Sequence, residues 1–185
     1  MVPIMSLWVP ILLSAVLVFF VSAIIHMVLP FHKNDFQKID KEDEILDAFR
    51  KLGPAPGDYM APSAKGYQGM KDPAFQEKLK RGPIVLMTVV SPGVSMGKSL
   101  AQWFVFLVVV GIFAAYLTGR AFSPGTDYLT VFRYVGTTTF LGYSMALVTD
   151  SIWHHRPWST TIKHLIDGLI YALLTAGVFG WLWPR

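Results

Sequence analysis

Four apolar stretches, each about as long as a bilayer is thick, constrain this chain more than any other feature. A helix needs roughly 20 apolar residues to cross the ~30 Å hydrocarbon core of a membrane. Only 15% of the residues are charged, against about a quarter in a typical soluble domain. The first stretch has no basic leader and no small-residue cleavage site, which indicates a retained anchor rather than a signal peptide. The sequence therefore predicts an all-α integral membrane protein, a bundle of four transmembrane helices at 1–30, 99–120, 128–150 and 158–183.

The basic residues are distributed unevenly along the chain. Of the 16 Lys and Arg residues, thirteen lie in 32–98 or in the loop between the third and fourth stretches. Since Lys and Arg accumulate on the cytoplasmic side of a membrane, these two loops are predicted to be cytoplasmic and both termini periplasmic. The net charge of +4 follows this pattern and does not indicate nucleic-acid binding. The tryptophans agree with this orientation, with one set at the outer interface and one at the inner: Trp8, Trp181 and Trp183 outside, Trp153 and Trp158 inside.

The segment 31–98 is predicted to be a small cytoplasmic insertion with amphipathic helices. Apolar residues recur at helical spacing from Phe36 to Leu52, and Gly53-Pro54 is a stop signal. Asp72-Pro73 predicts a second helix, with Asp72 as its N-cap. The balance of acidic and basic residues favours a cap packed on the bundle over helices lying on the anionic inner leaflet.

The rest of this insertion comprises a connection and a short apolar segment. Residues 54–71 are rich in Pro, Gly, Ala and Ser and indicate an irregular connection. Residues 84–90 form an apolar, strand-like run. The stretch 84–96 is too short to cross a bilayer and is predicted to be an interfacial or re-entrant segment.

The sequence from Gly93 to Ser99 is close to a phosphate-binding loop in composition but not in spacing. The motif requires four residues between its glycines, as in G-x-x-x-x-G-K-[ST], whereas three residues separate Gly93 from Gly97. Nucleotide binding is therefore not predicted. Ser99 is predicted to cap the second span, and Lys98 is predicted to contact a lipid phosphate at the N-terminus of that span.

The fourth stretch carries two rows of residues on neighbouring faces of one helix. The first is a polar seam with spacings of 3, 4 and 4 residues: His164, Asp167, Tyr171 and Thr175. The second is a small-residue row with a constant four-residue spacing: Gly168, Ala172, Ala176 and Gly180. Rows of small residues let helix backbones approach each other closely. The fourth helix is therefore predicted to be the central helix of the bundle.

Asp167 is the deepest acidic residue of the predicted spans. It lies ~13 Å along the helix from Trp158, too deep to reach water easily, so it must be protonated, paired or in a wet cavity. His164, one turn earlier, is its nearest candidate partner. Arg133, a second charge within the predicted spans, lies near the outer end of its helix and is predicted to contact outer lipid phosphates.

Several His and Asp residues near the inner interface are candidate ligands for a divalent metal ion. Together with Asp167 they are His26, Asp150, His154, His155 and His164. Imidazole and carboxylate groups bind zinc and similar ions, and they also pass protons. The alternatives are that His154 and His155 belong to a polar loop in water and that His26 is a headgroup anchor. No other cofactor is predicted.

The C-terminal part of the chain carries four short motifs: Asp150-Ser-Ile-Trp153, Pro157-Trp158-Ser-Thr, Ile166-Asp167-Gly168-Leu-Ile-Tyr171 and Gly180-Trp-Leu-Trp-Pro184. In these motifs the chain resembles a group of small bacterial inner-membrane proteins that have no established activity. The resemblance implies a bacterial origin, an inner-membrane location and a four-helix topology. It supplies no catalytic residue.

The predicted function is that of an accessory or scaffolding subunit, which self-associates or docks on a larger membrane complex through the small-residue row. One alternative is a small transporter or channel with a proton or cation relay at Asp167 and His164. The other is a membrane enzyme with a metal site at the cytoplasmic interface. The chain has no H-E-x-x-H or G-x-S-x-G motif, which disfavours an enzyme. It also lacks repeat halves with broken helices, which disfavours a transporter.

Overall fold

The computed structural model describes residues 1–185 and divides them into two compact units. The first unit comprises Met1–Gln37 and Met96–Arg185, and the second comprises Lys38–Ser95. Most of the chain is helical, as predicted for the all-α class. The helices and strands, in chain order, are α1 (Trp8–Ala23), α2 (Glu42–Leu52), β1 (Gly57–Ala61), α3 (Gly66–Gly69), α4 (Pro73–Arg81), β2 (Val85–Val89), α5 (Met96–Ala121), α6 (Tyr128–Tyr143), α7 (Val148–Trp153) and α8 (Trp158–Trp181).

Three helical segments of the first unit are long and apolar enough to cross a membrane. They are Ile4–Val28, which contains α1, together with α5 and α8. A turn of 3-10 helix precedes α1, and a π-helical turn follows it, so the first segment is longer than α1 itself. These segments support a membrane protein built as a helix bundle.

The stretch predicted as the third span, 128–150, is not one continuous helix. Ser144 leaves the helical conformation after α6, and a 3-10 turn at Met145–Leu147 separates α6 from α7. Three consecutive threonine hydroxyls of α6 donate to carbonyls one turn back, a pattern that bends helices: Thr137, Thr138 and Thr139. Because α6 keeps only 16 residues, helix length identifies three spans and not the predicted four.

Helix α8 lies between α6 and α1, and its small-residue row forms the contact with α6. A Cβ atom at Gly168 would lie 1.4 Å from Ser144 Oγ, and one at Gly180 would lie 2.7 Å from the ring of Tyr128. The two alanines of the row are buried. The row is therefore a packing face whose partner is a helix of the same chain.

Helices α1 and α5 complete the bundle. Their backbones approach at Gly111, where a Cβ atom would lie 3.3 Å from Ile11 Cγ2. The N-terminal residues also join α5, because the N–H of Val2 donates to the carbonyl of Gly119 at 2.7 Å. The short turns that follow α1 contact α8, and this contact forms the candidate site described below.

The second unit contains a two-stranded antiparallel sheet that the sequence analysis did not predict. β1 pairs with β2, and Tyr59 is the register partner of Met87. Residues 54–71 are therefore not wholly irregular, and the strand-like run 84–90 contains the paired strand Val85–Val89. The register partners lie between 24 and 32 positions apart in the chain, and propensity for a strand depends on such partners more than on local sequence.

Helix ends in the chain follow the predicted signals in two cases and depart from them in one. After α2, Gly53 adopts a φ of 57°, a left-handed conformation that favours glycine. Asp72 caps α4 by accepting a hydrogen bond from the N–H of Ala74 at 2.9 Å. Helix α5 begins at Met96, however, so Ser99 lies inside its first turn and is not the N-cap.

Replacement of Gly168 with alanine is expected to destabilise the bundle. The new Cβ would meet both Oγ and Cβ of Ser144, the latter at 2.7 Å, so rotation of the serine hydroxyl cannot relieve the overlap. Overpacking of this kind costs about 1–3 kcal/mol or more of unfolding free energy. Thermal unfolding of the detergent-solubilised protein measures the loss.

Gly177→Ala is the matched control, since the residue lies on the same helix and its new Cβ would come no closer than 3.8 Å to Tyr128 Oη. This variant is expected to unfold at about the wild-type temperature. Equal unfolding temperatures for the two variants would contradict the close contact at Gly168.

Candidate metal centre

The polar seam of α8 begins with His164 and Asp167, in the second and third turns of the helix. Asp167 is 2% exposed, and neither oxygen of its carboxylate has a hydrogen-bond partner. A buried carboxylate is costly because it loses its hydration in an apolar interior. A proton, a counter-ion or a bound cation must therefore satisfy Asp167.

Three imidazole rings surround this carboxylate. The distances from Asp167 Oδ2 are 2.9 Å to His32 Nε2, 3.7 Å to His164 Nδ1 and 3.8 Å to His26 Nε2. One ligand atom of each of these four residues lies within 4.8 Å of every other. Three imidazoles and one carboxylate form a donor set suited to divalent transition-metal ions. We refer to these four residues as the histidine cluster.

His26 is positioned by the π-helical turn Ile24–Val28, which follows α1. Turns of this kind are rare and frequent at functional sites. The ring Nδ1 lies 3.0 Å from the carbonyl oxygen of Ser22. Since a carbonyl only accepts, Nδ1 carries a proton, and in the neutral ring Nε2 presents its lone pair towards Asp167. The Ser22 hydroxyl accepts a hydrogen bond from Trp103 Nε1 at 2.9 Å, which ties this part of the chain to α5.

Asp35 lies three residues beyond the 3-10 turn Pro30–His32 and is held from two sides. Its side chain is 6% exposed, and burial raises the pKa of the carboxyl. The hydrogen bonds and the charges of Lys163 and His32 together lower the pKa by more than burial raises it, so the pKa lies below its ordinary value. Lys163 Nζ lies 2.7 Å from Asp35 Oδ1. Asp35 is therefore a carboxylate that accepts from a donor at each oxygen.

The two ring nitrogens of His32 have different partners. Nδ1 lies 2.6 Å from Asp35 Oδ2 and donates to it. Nε2 lies 2.9 Å from Asp167 Oδ2 without forming a hydrogen bond. In a neutral ring that donates through Nδ1, Nε2 holds a lone pair, so two acceptor atoms face each other at this distance. They repel unless a proton or a cation lies between them.

The ring nitrogen of His164 that does not face Asp167 contacts Arg156. Arg156 Nη2 lies 3.2 Å from His164 Nε2, and a guanidinium only donates, so Nε2 accepts and Nδ1 carries the proton. To bind a metal ion through Nδ1, His164 must move its proton to Nε2 and release Arg156. His32 and Asp167 are therefore the ligands available in this arrangement, whereas His26 must first leave its stack on His32 and His164 must first change its tautomer.

The structure brings together three of the residues predicted near the inner interface: His26, His164 and Asp167. The other predicted ligands lie elsewhere. His154 Nδ1 is 3.2 Å from Asp150 Oδ1 in a separate, solvent-accessible pair, and His155 is exposed in the loop before α8. These three residues do not belong to the histidine cluster.

Two residues of the site, His32 and Asp35, are absent from the sequence predictions. The available signal was their position, a histidine six residues after His26 and an aspartate three residues further on. Polar residues are common just beyond any membrane span, so residue type alone did not distinguish them. Their role depends on the turns between residues 24 and 32, which bring the chain against α8.

The rest of the polar seam continues into the bundle. Tyr171 and Thr175 are buried, and the hydroxyl of Tyr171 has no hydrogen-bond partner. The Thr175 hydroxyl lies 3.3 Å from Tyr143 Oη, which links the seam to α6. Of the predicted lipid contacts, Arg133 is exposed on α6 and Lys98 lies in the first turn of α5, and neither belongs to the histidine cluster.

Comparison of the chain with protein-family models, with curated proteins and with solved structures found no match. The function is therefore inferred from the residues of the cluster and their contacts.

Replacement of Lys163 with methionine is expected to destabilise the protein by about 3 kcal/mol, because it leaves the buried Asp35 carboxylate without its cation. The double variant with Asp35→Asn is expected to lose less than the sum of the two single losses, with a coupling of about 1–3 kcal/mol. Denaturant titration gives the free energy of unfolding of the wild type, the two single variants and the double variant.

His154→Gln, in a solvent-accessible pair, is the control and changes stability little. Strictly additive losses would contradict the buried pair.

Proposed function

We propose that this protein is a four-span membrane protein that binds one divalent transition-metal ion at the histidine cluster. The observation that carries the proposal is the 2.9 Å contact between His32 Nε2 and the buried Asp167 carboxylate, which forms no hydrogen bond and in the neutral ring sets two acceptor atoms against each other. A cation bound by both atoms removes their repulsion and satisfies the carboxylate. His26 and His164 supply the remaining ligands.

The donor types define the class of ion. Imidazole nitrogen suits Zn²⁺, Fe²⁺, Ni²⁺ and Cu²⁺, whereas Mg²⁺ and Ca²⁺ take mostly oxygen ligands. Zinc sites of this type hold the ion at about 2.0–2.2 Å from each nitrogen or oxygen. The donor atoms of the cluster, which lie within 4.8 Å of one another, approach such a point by rotation of their side chains.

His26 must turn the most when an ion binds. Its ring stacks on that of His32 with 4.3 Å between centroids and 6° between planes. A metal ion lies in the plane of each imidazole that binds it, so two stacked rings cannot share one ion. The His26 side chain is 41% exposed, compared with 9% for His32, and has the room to move out of the stack.

The other predicted functions differ in whether they use the histidine cluster. Docking of an accessory subunit through the small-residue row conflicts with the use of that row against α6, so such a role needs another face. A proton relay at Asp167 and His164 is the second candidate, because a proton shared with His32 also removes the repulsion at Asp167. A membrane enzyme requires the same metal ion and adds a reaction to it.

The four-span topology is supported by the packing of α6 along α8. Gly180 lies against Tyr128 at the start of α6, and Gly168 lies against Ser144 just beyond its end. The two helices therefore run antiparallel over ~18 Å of a candidate span, so α6 lies at the depth of α8. The bias of Lys and Arg supports cytoplasmic loops before α5 and before α8, with both termini on the opposite side of the membrane. The resemblance of the C-terminal motifs is what favours a bacterial inner membrane.

Detergent-purified protein is expected to bind one Zn²⁺ or Co²⁺ per chain, as measured by elemental analysis and equilibrium titration. Asp167→Asn and His32→Ala each remove a ligand. Each is expected to lower the metal affinity by more than roughly a hundredfold, since loss of a group that is only hydrogen-bonded to a ligand lowers it about ten- to a hundredfold. Mg²⁺ is expected not to compete.

His154→Ala and His155→Ala are the matched controls, because both histidines lie outside the cluster. Their metal affinity is expected to equal that of the wild type. A wild-type protein without stoichiometric metal would overturn the metal centre. If Asp167→Asn then abolished proton flux into vesicles, the relay would be the function.

Single serine-to-cysteine variants test the topology, since the chain has no cysteine of its own. Ser63, Ser123 and Ser159 are exposed; the first two lie in successive loops, and Ser159 lies in the first turn of α8, next to the loop that follows α7. With four spans, a membrane-impermeant maleimide added outside intact cells is expected to label only Ser123→Cys. Ser159→Cys is the deciding variant, because it would be labelled together with Ser123→Cys if α6 did not cross the membrane. Labelling of all three variants after lysis is the control for reactivity.

A further inference from the structure

His26 and His32 approach the cluster in the same way, with Nδ1 directed outwards and Nε2 directed inwards. Their outer partners differ in charge. His26 donates to the neutral backbone carbonyl of Ser22 at 3.0 Å, whereas His32 donates to the carboxylate of Asp35 at 2.6 Å. A charged acceptor forms the stronger hydrogen bond, and a group behind a metal-binding imidazole fixes its tautomer and increases its donor strength.

Asp35 has no oxygen available for the metal ion itself. Oδ2 accepts from His32, and Oδ1 accepts from Lys163 at 2.7 Å. The Asp35 side chain is more than nine-tenths buried, so water does not replace either donor. Asp35 also lies outside the set of four residues whose ligand atoms converge.

Lys163 anchors Asp35 to helix α8 through an ion pair. It precedes His164 in α8, whereas Asp35 follows the turn that carries His32. The ion pair therefore joins the two parts of the chain that supply the metal ligands. Rotation of the Asp35 carboxylate would break at least one of its two hydrogen bonds, so Lys163 holds the oxygen that faces His32 in position.

We infer that Asp35 is a positioning residue of the metal centre, held by Lys163, which fixes His32 in the tautomer that directs the Nε2 lone pair at the ion. This inference rests on the proposed metal binding and adds a residue that does not touch the ion. Without the carboxylate, His32 is able to carry its proton on either nitrogen, and only one of the two tautomers binds.

The test uses Co²⁺ as the probe, because its visible absorption reports the geometry of its ligands. Asp35→Asn is expected to bind Co²⁺ roughly ten- to a hundredfold more weakly than the wild type and with a shifted spectrum. Asp35→Glu keeps the charge and is expected to recover part of the affinity. Competition with a chelator gives the affinities, and thermal unfolding of the metal-free proteins shows that each variant is folded.

Asp150→Asn is the matched control, since it removes the carboxylate of the other aspartate–histidine pair, whose oxygen lies 3.2 Å from His154 and outside the cluster. Its Co²⁺ affinity and spectrum are expected to be those of the wild type. If Asp35 only stabilised the fold, Asp35→Asn would unfold at a lower temperature but would bind Co²⁺ with the wild-type affinity and spectrum while folded. That result would overturn the inference.

Failure of the proposed function is distinguishable from failure of this inference. A wild-type protein that binds no Co²⁺ refutes the metal centre itself. A wild-type protein that binds Co²⁺, with Asp35→Asn equal to it, refutes only the role of Asp35. Where Asp35→Asn yields no folded protein, Asp35→Glu decides, because it keeps the buried charge and displaces the carboxylate from His32. A shifted Co²⁺ spectrum then supports the inference, and a wild-type spectrum refutes it.

Discussion

The close contact between α8 and α6 is the constraint on which the rest of the bundle depends. Gly168 has no side chain, so the backbone of α8 reaches Ser144, where a Cβ atom would lie 1.4 Å from the hydroxyl oxygen. Successive residues of an α-helix turn by about 100°, so a helix that presents Gly168 to α6 presents Asp167 to the neighbouring side. The turns after α1 lie on that side, with His26 and His32. A packing contact between small residues thereby decides where the deepest carboxylate points.

Burial of that carboxylate then determines what can surround it. Each histidine of the cluster has an outer partner on the nitrogen that does not face Asp167: the Ser22 carbonyl for His26, Asp35 for His32 and Arg156 for His164. Two acidic residues, Asp35 and Asp167, and two basic residues, Arg156 and Lys163, contact the three histidines or one another at this site. A bound divalent ion adds positive charge to a poorly hydrated region. If the proposed ion binds, His164 would become a ligand only after its Nε2 exchanges the Arg156 hydrogen bond for a proton.

The parts of the site that were predicted from sequence are those that a single helix encodes. The polar seam and the small-residue row follow from spacings within α8, and both occupy the faces that those spacings indicate. His32 and Asp35 were missed because no periodicity connects them to α8; their contact depends on two successive turns after α1. The break at Ser144 was missed for a related reason. An apolar stretch of sufficient length predicts a span whether or not the helix is continuous, and the threonine hydrogen bonds that accompany this break are visible only in three dimensions.

By itself, the sequence determined the helical class, the apolar segments, the capping of α4 by Asp72 and the two faces of α8. These features depend on interactions between residues a few positions apart, which spacing and residue type encode directly. Only the tertiary structure decided that α6 is the partner of the small-residue row, that β1 pairs with β2, and that His26 and His32 rather than His154 and His155 meet Asp167. Those outcomes depend on the conformation of turns and on packing between distant segments. Such contacts form only when distant segments pack together, so no local pattern in the chain specifies which segments meet.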